Sequence, residues 1–91
     1  MWYAIISEDV PESRSLRSGA RARHLERLRT LRDEGRLLVA GPHPAIDNED
    51  PAEAGFTGSL VIAEFASLAD ARAWADDDPY VEAGVYQRVV V

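Results

Sequence analysis

Apolar and polar residues are distributed along the chain in segments of two kinds. Residues 2–6, WYAII, form a short apolar run ended by polar residues and Pro11, which predicts a first strand. From residue 15 to about 34 the apolar positions Leu16, Ala20, Leu28 and Leu31 recur at helical spacing, and Gly35 stands where a helix closes in the left-handed conformation. RLLVAG (36–41), TGSLVIAEF (57–65) and VYQRVVV (85–91) predict three further strands. Residues 42–56 read as a long loop rich in Pro, Gly, Asp and Asn. Within it, Asp50, Pro51 and Glu53 occupy the N-cap, N1 and N3 positions of a single helical turn. SLADARAWAD starts with a capping Ser67, has Asp70 three residues on, and predicts a second helix over 67–77. Pro79 and Gly84 bracket a turn.

The predicted order is β-α-β-β-α-β within a single domain, residues 1–91. This is the ferredoxin-like α+β arrangement: a four-stranded antiparallel sheet with two helices on one face. A sheet with one wet face alternates apolar and polar residues. Here Trp2, Ala4 and Ile6 oppose Tyr3 and Ile5. Leu37 and Val39 oppose Leu38 and Ala40, and Val61, Ala63 and Phe65 oppose Leu60 and Ile62. Both faces read as apolar, yet two helices cover only one. The expectation is a homodimer that packs two open sheet faces together.

Composition narrows the functional classes. The chain has no cysteine, which excludes disulfides, thiolate metal sites and cysteine nucleophiles. Its net charge of -6 argues against a nucleic-acid partner. No stretch approaches the ~18 apolar residues of a membrane span. The N-terminus lacks the basic region of a secretory signal, so a cytoplasmic location is expected. All ten positive residues are arginine, and eight lie between Arg14 and Arg36. They read either as a solvated helix face or as a local attraction for anions.

One residue breaks the apolar stripe of the first helix. With His24 set at zero on a helical wheel, Leu31 falls at about -20°, Leu28 at about +40° and Ala20 at about -40°. His24 therefore sits at the centre of the buried face, where an unpaired polar ring costs roughly 1–3 kcal/mol. A carboxylate is needed to orient it. Asp33 falls at about 180° on the same wheel and faces away. Asp78 ends an acidic run, is pushed into an extended conformation by Pro79, and extrapolates to the sheet-facing side of the second helix. It also reads as a turn former. Arg17 and Arg21 share the face of His24; they can hold a carboxylate or phenolate, or snorkel to solvent. Tyr80 can donate to a developing oxyanion or serve as a core aromatic. His43 lies in a Pro-bounded loop and is expected to be exposed. No pair of ligands has i, i+4 spacing, and neither a metal nor a cofactor is expected.

These segments together resemble a known family. A helical HL is followed by DEGRLLVAGP, then GFTGSLVIAEF, then DPYVEAGVY, and the set resembles the YciI-like family over essentially the whole chain. The resemblance implies a dimeric α+β barrel domain and an active site centred on a histidine and an aspartate. His24 matches the family histidine, and Asp78 the aspartate of its DP(Y/F) motif. Gly41 and Pro42 match the GP after the second strand. A branch resembling the family dehydrochlorinates a chlorinated hydroxyhydroquinone. The resemblance thus implies proton transfer, isomerisation or elimination on a small cyclic or acidic molecule, an activity of lyase or isomerase type. An aspartate-held neutral imidazole is a competent general base near pH 7. Two other readings use the same residues: a non-catalytic small-ligand or regulatory module, and a histidine that is only a structural strut. The space around the His24 ring separates them.

Overall fold

The computed structural model describes residues 1–91. Strand β1 (Trp2–Asp9) leads into helix α1 (Arg14–Asp33), followed by β2 (Leu37–Pro44) and β3 (Phe56–Glu64). Helix α2 (Leu68–Asp76), a short helix α3 (Pro79–Glu82) and β4 (Tyr86–Val90) complete the chain. The four strands form one antiparallel sheet in the order β2-β3-β1-β4, the ferredoxin-like order.

The helix ends follow from local chemistry. Gly35, at φ 74°, closes α1 in a Schellman motif: its N–H donates to the Arg32 carbonyl and the Arg36 N–H to that of Leu31, both at 2.9 Å. Ser67 Oγ accepts the Asp70 N–H at 3.1 Å and caps α2. In the loop, Asp50 accepts the Ala52 N–H at 3.1 Å and starts a one-turn 3-10 helix, Ala52–Ala54.

Four expectations change. β1 runs to Asp9 rather than Ile6, because Ser7 and Asp9 keep the inward alternation of Tyr3 and Ile5. β2 continues through Pro44, so the loop is shorter than 42–56. The ladder between β2 and β3 skips Leu38: Leu37 pairs with Ala63, and Val39 with Ile62. That bulge turns Leu37 and Ala40 toward the core and leaves Leu38 and Val39 exposed, so Leu37 and Val39 do not share a face. The turn expected between Pro79 and Gly84 is α3.

The core has two parts. Ile5, Val61, Ala63 and Phe65 from the sheet meet Leu31 of α1 and Ala71 and Ala75 of α2. A smaller cluster of Ala20, Tyr80 and Val85 ties α1 to α3 and to the start of β4. On the other sheet face, Trp2, Ile6, Val39 and Val90 each stay at least two-fifths exposed. Register aligns Ile6 with both Leu60 and Val90, so this apolar face is continuous across three strands. Where β1 pairs with β3, Gly58 lies so close to the Ser7 carbonyl that a Cβ there would overlap it.

Candidate active site

The helical stripe that begins at Arg14 defines one wall of a cleft. Arg14, Arg17, Arg21, His24 and Leu28 follow one another at steps of three, four, three and four residues, one side of a helix. Opposite them stand Ala40, Gly41 and Pro42 of β2 and Phe56, Ser59 and Val61 of β3. The cleft encloses about 320 Å³, and Tyr80 of α3 closes one side. Leu25, Leu28, Phe56, Val61 and Tyr80 give it apolar walls of a size for a small ring.

His24 is only 7% exposed, and its Nδ1 lies 2.9 and 3.0 Å from the two carboxylate oxygens of Asp78. Asp78 is buried too, at φ -62° and ψ 129°, the extended geometry that a following proline imposes. Its Oδ1 also accepts the Tyr80 N–H at 2.9 Å, so it caps α3 while it holds the imidazole. A carboxylate can only accept, so Nδ1 carries the proton and the neutral ring has its lone pair on Nε2. Nε2 has no partner in the chain and is not sealed off, and the ring lines the cleft. The Tyr80 ring stacks on the imidazole at 4.0 Å between centroids and 12° between planes. Burial pushes the Tyr80 phenol above its ordinary range, against the opposing charges of Arg17 and Arg21.

Arg17 is neither a solvent-facing residue nor a free cation. Its Nε and Nη2 bind the Asp9 carboxylate at 2.7 and 3.0 Å, and Nη2 also donates to the Gly58 carbonyl and Ser59 Oγ, both at 2.9 Å. Burial acts to lower the guanidinium's proton affinity, but the hydrogen bond and charge of Asp9 outweigh it and raise it. Ser13 Oγ, instead of capping α1, donates to Asp9 Oδ2 at 2.6 Å. Tyr86 donates to Ser59 Oγ at 3.1 Å and extends the network to β4; burial, opposed by that hydrogen bond, pushes its phenol up to about 12. The guanidinium lies 5.1 Å from the Tyr80 ring centroid and 5.2 Å from that of Phe56. Arg17 thus supports the cleft wall with its charge already spent on Asp9.

The other sequence candidates divide. Arg21, Gly41 and Pro42 line the cleft with His24 and Tyr80. Asp33 does not: it is exposed beside Arg32, with its carboxylate 3.2 Å from that guanidinium. His43 lies on β2 opposite Gly58, outside the cleft lining. Asp9, Ser59 and Tyr86 were missed by sequence reasoning; the inward alternation of β1, continued two inward positions further through Ser7, points to Asp9.

The model of the YCII-related domain matches residues 1–91. The chain is 59% identical to protein YciI of Escherichia coli O6:H1 and 56% identical to an uncharacterised protein of Haemophilus influenzae. In each case the match spans 91 residues, 100% of this chain and 93% of the relative. Among solved structures, it resembles 5-chloro-2-hydroxyhydroquinone dehydrochlorinase of Burkholderia phenoliruptrix AC1100, in complex with 2,5-dihydroxybenzoquinone. The TM-score is 0.85 at 27% identity, covering 99% of this chain and 89% of that one. The chain belongs to the YCII-related domain family.

Proposed function

We propose that the protein is a small-molecule enzyme in which His24 and Asp78 act as a general acid/base pair on a small cyclic or acidic compound. One observation carries this reading: the His24 ring lines a cleft with Nε2 unbonded and not sealed off, while Nδ1 is held by a buried carboxylate. In that arrangement Nε2 takes a proton from a hydroxyl, or from carbon beside a carbonyl, and Asp78 stabilises the imidazolium that forms. The Tyr80 phenol stays protonated at neutral pH and donates to the oxygen where negative charge collects. Proton transfer, isomerisation and elimination all need this step. The dehydrochlorinase that shares the fold supports elimination on a hydroxylated ring as the nearest chemistry. Gly41 and Pro42 of β2 line the same cleft. The reading also includes a second copy of the chain over the open sheet face, because no element of this chain covers Trp2, Ile6, Val39 and Val90.

Asp78→Asn gives the sharpest test. Asparagine still caps α3 through its oxygen, but its NH₂ donates to Nδ1 and forces the proton onto Nε2. The fold survives and the base is lost. A panel of chlorinated and hydroxylated rings and cyclic 1,3-dicarbonyls in D₂O is followed by NMR for deuterium uptake, isomerisation or chloride loss. Turnover should fall by roughly 10³–10⁴-fold in Asp78→Asn at unchanged far-ultraviolet dichroism. Ligand binding without turnover across the panel favours a binding module instead. Turnover that survives His24→Ala refutes the reading.

A further inference from the structure

The lining of the cleft contradicts the charge of the chain around it. Sixteen acidic residues and ten arginines give the protein a net charge of -6. Among the 15 residues that line the cleft there are three arginines and no aspartate or glutamate. Arg17 is neutralised by Asp9, but Arg14 and Arg21 make no ion pair and no side-chain hydrogen bond in the chain. Arg21 precedes His24 by three residues, about 4.5 Å along the helix axis, and Arg14 lies about 10 Å further toward the N-terminus. The charge of Arg21 reaches the Tyr80 phenol, which places it within electrostatic range of the stacked His24 ring. The opposite end of the stripe, Leu25 and Leu28 facing Ala40, is apolar.

We infer that the cleft binds its ligand as an anion: a single ring whose ionised oxygen or carboxylate is read by Arg21, with Arg14 drawing it in at the mouth. The inference rests on the reading of the cleft as a small-molecule site and adds the ligand's charge and its direction of binding. The charged group points to the N-terminal half of α1, and the ring body lies on the Leu25–Leu28 side. A negative protein repels anions at long range, so two uncompensated guanidinium groups are needed to reverse the field locally. Arg17 supplies none of this, because a substrate would have to displace Asp9 from it.

Two quinones of the same ring test the inference: 2,5-dihydroxy-1,4-benzoquinone, a vinylogous acid ionised at neutral pH, and its dimethyl ether, which has no acidic proton. Calorimetric titration of the full-length protein should give at least about tenfold tighter binding of the acid, an advantage that rising ionic strength erodes. Arg21→Gln should remove about tenfold of that affinity and Arg14→Gln a smaller, several-fold part, while the ether is unaffected by either. Both arginines are exposed, so both variants keep the wild-type melting temperature. Equal affinity for the two quinones, equal losses for both in the variants, or no binding of the acid at millimolar concentration overturns the inference. The underlying reading fails separately: turnover that persists in His24→Ala while the anion preference holds removes the base and leaves the charge selectivity standing.

Discussion

Truncation of Asp9 to alanine should be among the costliest single changes behind the cleft wall. The carboxylate, 6% exposed, accepts from Arg17 Nε, Arg17 Nη2 and Ser13 Oγ at 2.7, 3.0 and 2.6 Å. Its removal leaves the Arg17 guanidinium buried at 7% exposure with only two neutral acceptors, the Gly58 carbonyl and Ser59 Oγ. Breaking a buried pair from one side costs about 3–5 kcal/mol. A domain of this size has about 5–15 kcal/mol in total, and the loss corresponds to a fall in melting temperature on the order of 20 °C. Arg17→Met strands the carboxylate instead and should cost a similar amount. The double variant Asp9→Leu, Arg17→Met removes both charges and should cost far less than the sum of the singles. A double-mutant cycle by urea denaturation should therefore yield a coupling energy of at least about 2 kcal/mol, nearly independent of salt because the pair is out of water. A coupling energy within about 0.5 kcal/mol of zero would show that the pair contributes nothing specific, and the account of the cleft wall would fall with it.

Other consequences can be checked independently. Tyr86 should titrate near pH 12 by ultraviolet absorbance, and Tyr86→Phe should abolish that step. A phenol raised from 10 to about 12 on folding stabilises the protein fully below pH 10 and loses the contribution as pH rises through 12. That two-unit difference is worth roughly 2–3 kcal/mol, and a wild-type stability profile flat from pH 9 to 12 would contradict it. Gly58→Ala drives a methyl group into the Ser7 carbonyl and should destabilise by at least about 2 kcal/mol or prevent folding; wild-type chemical stability would mean the strands part easily. Ile6→Glu puts a charge in the middle of the open sheet face. It should convert a dimeric wild type into a folded monomer by analytical ultracentrifugation, whereas a wild type already monomeric at micromolar concentration removes the proposed second copy.

The sequence revealed the site unevenly, for physical reasons. A 20-residue amphipathic helix repeats its signal over five turns, so the wheel placed Ala20, His24 and Leu31 on the buried side, where they lie. The wheel also turned Asp33 away, and it is exposed. Local chemistry singled out Asp78, extended before Pro79 and on the sheet-facing side, but left it open between partner and turn former, and 54 residues separate it from His24. The family motif made that choice. Helix α3 is too short for any period, yet Asp78-Pro79 carries the same cap-then-proline signal that was read at Asp50-Pro51. The bulge at Leu38 left no mark, because RLLVAG is apolar whichever residue is skipped. Asp9 lies beyond the last apolar residue of the WYAII run, and a buried polar network looks like a loop to any test based on hydrophobicity.

The single oxygen Asp78 Oδ1 serves two masters, the imidazole of His24 and the N–H of Tyr80. A mutation that removes it does more than release the imidazole. It loosens the turn that carries Tyr80, and with it the ring stacked on the histidine and the edge of the pocket. Gradual loss is therefore a closed route: a descendant that loses this oxygen sheds the imidazole's orientation, the stacking and the pocket edge in one step, while the sheet and the α2 side of the core remain intact. Across diverging relatives, these three residues should be kept or discarded together.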